Sequence, residues 1–195
     1  MTNSMSNVER INTLMGKNFS LIDAKIIDQY QVSYVLKKDD IHRALSVLKS
    51  NGFRQLSYLS CVDWPNEQEI EMVYIVMNWD EALHIQLHAR IDRDNPVMDS
   101  ILPIYPGAKY YEREAHEFFG VAFPGNPDYE KQLILEGWDD IPPMRKDFDP
   151  RAYSDKKFTK RDPKENFEVT DKTSKRPRQE KREERANNLR TGGKK

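Results

Sequence analysis

The chain has 195 residues, of which 37% are hydrophobic and 32% charged, and its formal net charge is -1. That length allows one domain with some surplus. The near-neutral total hides a split: from Arg151 onward 16 Lys and Arg face 8 Asp and Glu, about +8, which leaves the preceding body at about -9. A single cysteine, Cys61, excludes an internal disulfide and an iron–sulfur cluster held by this chain alone, since a cluster usually takes four thiolates.

The opening stretch MTNSMSNVERINTLMGKNF has neither the basic start and apolar run of a signal peptide nor the arginine enrichment of a transit peptide. No segment approaches the roughly 20 apolar residues that span a bilayer. The chain is therefore expected to be soluble and intracellular, reaching a membrane only through a partner. Val8, Ile11 and Met15 at i, i+3 and i+7 predict a short helix over roughly 4–15. Two short strands follow, one around Ile26 and Ile27, the next carrying Val32, Tyr34 and Leu36. DDIHRALSVLKSNG reads as a helix with Ile41, Ala44, Leu45 and Leu48 on one face, a cap from Asp39 or Asp40, and a stop at Asn51-Gly52.

The segment from Phe53 to Pro65 reads as a further strand, and 69–92 reads as a hairpin. In its return strand Leu83, Ile85, Leu87, Ala89 and Ile91 alternate with His84, Gln86, His88 and Arg90, and Asn78, Trp79, Asp80 and Glu81 supply the turn. The fold class expected is α+β, a mostly antiparallel sheet with flanking helices, followed by an extended Pro-rich segment and a disordered basic tail. The boundaries are 1–104 for the α+β domain, 105–150 for a helix and extended partner-binding segment, and 151–195 for the tail. In those last 45 residues only seven are hydrophobic, too few to bury a core.

Chemistry is sparse. His84 and His88 share a strand face but lie roughly 13 Å apart, too far for two ligands of one metal. His42 and His116 have no companion at ligand spacing, and Cys61 fits a small core residue. No Gly-rich phosphate loop or nucleophile motif occurs. No catalytic, cofactor-binding or metal-binding residue is assigned.

The densest titratable stretch is EREAHEFFG at 112–120. On a helix from about Ala108 to Phe119, Tyr111, Ala115, Phe118 and Phe119 form an apolar face, ended by Gly120. Glu112 with His116, and Arg113 with Glu117, are i, i+4 pairs on its flanks. Either these are solvated surface pairs, or the helix is one half of a joint with another protein. The segment after it has Pro124, Pro127, Pro142, Pro143 and Pro150, so it cannot form long elements and needs a surface to lie on.

Taken together, residues 105–148 resemble the signature region of the 30-kDa (C) subunit of respiratory complex I. The resemblance rests on Glu112, Arg113, Glu114, Glu117, Phe118, Phe119 and Gly120, on Phe123, Gly125, Pro127 and Asp128, and on Leu133, Ile134, Leu135, Trp138, Pro143, Met144, Arg145, Lys146 and Asp147. The chain departs from the pattern at Asn126, where the family often has His, and at Glu130 and Lys131, where arginines are common.

The resemblance implies a cofactor-free structural subunit of the peripheral arm. It would pack on the D (49-kDa) subunit near the quinone site, close to the B subunit, and lie peripherally on the cytoplasmic side of the cell membrane. Quinone, iron–sulfur clusters and NADH or another donor would belong to other subunits of a proton-translocating NADH:quinone oxidoreductase. F420H2 dehydrogenases and membrane-bound hydrogenases have related subunits. Under this reading Glu112, Arg113, Glu114, Glu117, Phe118, Phe119, Trp138, Arg145, Lys146 and Asp147 form the partner interface, with Arg113 and one or more of the glutamates paired across the joint. A free-standing nucleic-acid or adaptor-binding module is the alternative from another class, and the acidic body argues against it. The basic tail is expected either to solubilise the chain or to strap an acidic partner surface.

Overall fold

A computed structural model of the chain describes residues 6–159. The first helix, α1 (Asn7–Asn18), begins later than its apolar spacing alone indicates, because Ser6 closes a capping box with Glu9 and fixes the start. Strands β1 (Asp23–Asp28) and β2 (Gln31–Val35) pair antiparallel. A short 3-10 turn at Lys38–Asp40 leads into α2 (Ile41–Ser50). Asp40 stands at the cap position without capping through its side chain, which instead bonds Arg43 at 3.2 Å. Gly52, at φ +96°, then reverses the chain at a point where a Cβ would lie 2.8 Å from Asn78 Nδ2.

Strands β3 (Gln55–Trp64), β4 (Glu69–Asn78) and β5 (Leu83–Asp92) form an antiparallel meander. The sheet order is β1-β2-β5-β4-β3. It is antiparallel throughout except where β5 returns beside β2, a parallel pair that the period-two pattern could not announce. That crossover is made by α2 and the meander itself, and a parallel neighbour needs a long connection of this kind.

One core fills the inner side of the sheet. Ile70, Met72, Tyr74 and Val76 of β4 and Leu83, Ile85, Leu87 and Ala89 of β5 meet Ile11 and Met15 of α1 and Ile41, Leu45 and Leu48 of α2. Cys61 belongs to the same core, and burial pushes its thiol pKa far up. Helix α3 (Ala108–Phe119) contributes Ala108, Ala115 and Phe119, and Phe123 follows it inside. Each fully buried Leu or Ile is worth about 1.5–3 kcal/mol. The segment expected at 105–150 thus shares the core of the α+β portion, and residues up to Pro150 form one compact unit. The second unit starts at Arg151; α4 (Pro150–Lys157) has no buried residue, and the basic tail from residue 160 lies outside the described residues.

Tyr74 is wholly buried, and among the described residues its hydroxyl has no hydrogen-bond partner. A desolvated hydroxyl without a partner costs about 1–3 kcal/mol. Tyr74→Phe should therefore leave the thermal midpoint unchanged or raise it by a few degrees in differential scanning calorimetry of the full chain. A fall of several degrees would show that the hydroxyl is bonded.

Candidate functional site

Helix α3 is the anchor of the candidate site, and its C-terminal end is fixed by Gly120. That residue adopts φ +81°, and a Cβ there would come within 3.1 Å of Pro142 and 3.2 Å of Arg145 Nη2. Arg145 comes this close because its Nε donates to Phe119 O at 2.9 Å, satisfying a terminal carbonyl of the helix. The Met144 N–H donates to Phe118 O at 3.0 Å.

Glu112 is fully buried. Its Oε1 accepts from the Ile101 N–H at 2.8 Å, and its Oε2 accepts from Ser100 Oγ and Asn126 Nδ2, each at 2.8 Å. Three segments, the 96–106 loop, α3 and the turn at 126, are thereby tied to one carboxylate. Asn126 completes the knot by accepting from the Asp128 N–H at 3.0 Å and donating to Lys109 O at 3.3 Å. Burial raises the Glu112 pKa above its ordinary value of 4.5, and the three donors offset part of that rise.

Arg113 and Glu117 hold the next stretch. Arg113 donates to Lys131 O at 3.1 Å and Gln132 O at 2.6 Å. Glu117 accepts from the consecutive N–H groups of Leu133, Ile134 and Leu135, each at 2.9 Å. An irregular segment has no ladder of its own, so these side chains supply the partners that its backbone lacks. His116 bonds Val121 O at 2.9 Å. The i, i+4 pairs read from the sequence, Glu112 with His116 and Arg113 with Glu117, are therefore replaced: Arg113 and Glu117 bond residues 131–135, Glu112 bonds Ser100, Ile101 and Asn126, and His116 bonds Val121 O.

A third tie secures 145–147. Asp63, at the end of β3, accepts from Arg93 Nε at 2.7 Å, from Arg93 Nη2 at 3.0 Å and from the Lys146 N–H at 2.8 Å. Arg93 Nη2 also reaches Asp147 Oδ1 at 2.9 Å. The bonds from Arg93 hold the Asp63 carboxyl below its ordinary 3.8, against the opposing effect of burial. Trp138 donates to Ile141 O at 2.9 Å and packs on Phe148 at 5.3 Å. Asp128, between Lys109 and Lys131, is held down to about 2 by those two lysines.

The residues singled out in the sequence thus gather around α3, and most are engaged within the chain. Glu114 is exposed and Phe118 half-buried, and both face outward beside Met144. Sequence reasoning missed Ser100, Asp63 and Arg93. Asp63 shares its side of β3 with the buried Leu59 and Cys61, and a carboxylate at a core position signals a buried partner. On the other face of the sheet, His88 Nδ1 pairs with Glu71 at 2.7 Å. Among the described residues no group of three or more His, Cys, Asp or Glu could hold a metal ion, and no helix is long and apolar enough to cross a membrane.

The sequence pattern described as "Respiratory-chain NADH dehydrogenase, 30 Kd subunit" matches residues 34–154, from β2 through the last tie into α4. The chain belongs to this family. It is 30% identical over 141 residues to the C subunit of the F(420)H(2) dehydrogenase of Methanosarcina mazei, covering 71% of this chain and 89% of that one. To the C subunit of the NADH-quinone oxidoreductase of Moorella thermoacetica it is 35% identical over 115 residues, covering 58% and 77%. Among solved structures, a chain of the membrane-bound sulfane sulfur reductase, an archaeal respiratory membrane complex, superposes with a TM-score of 0.74 at 32% identity. That superposition covers 85% of this chain and 99% of the other. These relatives are subunits of oxidoreductase complexes, two named for the electron donor and one for the sulfur substrate that it reduces.

Two outcomes test the clamp. Glu112→Ala would orphan three buried donors and should cost roughly 3 kcal/mol or more in urea unfolding. Because the folded pKa is raised, the stabilisation that Glu112 supplies is fully present below about pH 4.5 and lost as pH rises through the folded value. The penalty should accordingly be larger at pH 4 than at pH 8, and a pH-independent penalty would contradict the burial. Arg93→Ala should cost about 3–5 kcal/mol by stranding Asp63. The pH dependence of Asp63 runs the other way, with stability present above 3.8 and lost as pH falls through its lowered folded value. Acid unfolding of Arg93→Ala should lack that component, and retention of the wild-type acid slope would overturn the assignment.

Proposed function

We propose that the chain is a cofactor-free assembly subunit in the peripheral arm of a complex I-type quinone oxidoreductase. It seats on the D-type (49-kDa) subunit near the quinone site and beside the B-type subunit, on the cytoplasmic side of the membrane. In this role it supports electron transfer coupled to proton translocation without contributing a reacting group. The observation that carries the reading is the state of residues 121–149. They are extended and irregular, held on their inner side by Glu117, Arg113, Arg145 and Asp63, and they turn Ile134, Ile141 and Met144 outward. Ile134 is 66% exposed and Met144 55%. Ordered apolar side chains presented on a fixed backbone make a pre-organised docking surface, because little further entropy is lost on binding.

The coverage of the Methanosarcina relative, 89% of its length, supports a second reading in which the donor is reduced F420. The clamp is the same for either donor, since a chain in the proposed role touches neither.

The double variant Ile134→Asp with Ile141→Asp should leave the thermal midpoint of the isolated full chain within about 2 °C, because both side chains already face solvent. In membranes, the same variant should reduce chain retention and quinone reductase activity by roughly tenfold or more. Full activity with full retention would overturn the docking role.

A further inference from the structure

The helix that supplies the clamp leaves one charge over. Glu112, Arg113 and Glu117 are bonded within the chain, while Glu114 is exposed and has no hydrogen bond or ion pair among the described residues. It stands on a stripe with Tyr110 and Phe118 at i-4 and i+4. It also rims a cleft of about 290 Å³ lined by Tyr58, Ser60, Cys61, Phe118, Phe119 and Met144. Tyr58 is 46% exposed. Burial raises the pKa of Cys61, and the Glu114 charge adds to that rise.

From this geometry we infer that the cleft receives an arginine from a partner subunit, presented among apolar side chains, with Glu114 as its counter-ion. This deepens the assembly role proposed above and rests on it. At about 290 Å³ the cleft lies at the lower edge of the roughly 300–1,000 Å³ that drug-sized ligands take, and one long side chain fits within it. Its lining is aromatic and sulfur-bearing, with a single carboxylate at the rim. A guanidinium can lie over the Tyr58 and Phe118 rings and offer two N–H groups to one carboxylate, whereas a more strongly hydrated ammonium gains less in such a place. A charge pair ringed by apolar contacts that exclude water is the pattern of an interface hot spot.

The back wall of the cleft is built in advance. The Met144 N–H on Phe118 O and Arg145 on Phe119 O fix the 142–145 strap against the end of α3, so Met144 is already positioned when a partner arrives. Tyr111 donates to Ser57 O at 3.2 Å and holds β3 beside the same helix. Both walls thus depend on bonds internal to the chain, and only the charge at the rim awaits a partner.

The test uses the full chain, tagged and purified with its complex from membranes, and separately purified alone. Alone, Glu114→Lys and Glu114→Gln should keep the wild-type thermal midpoint, since the carboxylate bonds nothing among the described residues. In the complex, Glu114→Lys should reduce retention by at least roughly a hundredfold, because like charges at a desolvated contact cost several kcal/mol, and Glu114→Gln should reduce it less. A benzoylphenylalanine photo-crosslinker placed at Tyr58 should capture a peptide of another subunit that contains arginine within a few residues of the crosslink. Wild-type retention of Glu114→Lys would overturn the proposal. So would a crosslink to a second copy of this chain, a captured peptide lacking arginine, or no captured peptide. If the wild-type chain brings down oxidoreductase subunits while any of those results holds, the cleft assignment fails and the assembly role stands. If it brings down none of them, the assembly role fails, and the arginine assignment falls with it because no partner subunit supplies the residue.

Discussion

The structure turns on one buried carboxylate. Glu112 draws donors from Ser100, Ile101 and Asn126 into a single point beneath α3. An ionisable group in such a place is costly unless its bonds are complete. Here completeness is achieved where two loops meet, and backbone bonds from Ala122 to Pro96, Met98 to Ala122 and Ser100 to Pro124 join the same loops. Once those loops are placed, Arg113, next to Glu112, and Glu117, one turn further on, are aimed at the chain running over the helix, and the strap from Pro142 to Asp147 can close against β3. The order of dependence runs from the core stripe of α3 outward to the irregular segment that lies over it.

The charged motif therefore has a role different from the one its composition first conveys. A cluster of glutamate, arginine and histidine looks equipped for chemistry or for pairing across a joint. In the folded chain, most of those charges serve backbone groups of an aperiodic segment. Three consecutive N–H groups on Glu117 do for residues 133–135 what a neighbouring strand would do for a sheet edge. Outward, residues 121–149 present Ile134, Ile141 and Met144 among exposed charges such as Glu136, Asp139, Asp140 and Lys146, and Phe118 stands beside Glu114. Such a mixture suits the docking role proposed above, since apolar contacts supply affinity and the charges around them supply register.

Much of the fold was legible in the sequence because it rests on periodicity. Ile41, Ala44, Leu45 and Leu48 announced α2, the alternation from Leu83 to Ile91 announced β5, and Gly120 marked the end of α3. The parallel pairing of β2 with β5 was not legible, since a period of two assigns faces and not neighbours. At the site, the residues were found but their destinations were not. The apolar face was drawn through Tyr111, Ala115, Phe118 and Phe119, whereas the most buried stripe is Ala108, Glu112, Ala115 and Phe119. Two alanines flanking a glutamate on one stripe were the available signal. Ser100 and Asn126 could not be connected to it by spacing, because the loops that carry them have no period to read.

The central claim is that Glu112, Arg113 and Glu117 are satisfied inside the chain, so that the segment over α3 is ordered before any partner binds. Amide hydrogen exchange of the isolated full chain, read at Ile101, at Leu133 to Leu135 and at Lys146, tests this most directly. Internal satisfaction requires these amides to be protected in the absence of partners, Ile101 to nearly the level of the core strands. Free exchange at all five positions, with protection gained only on assembly, would contradict it and return the charges of α3 to the joint.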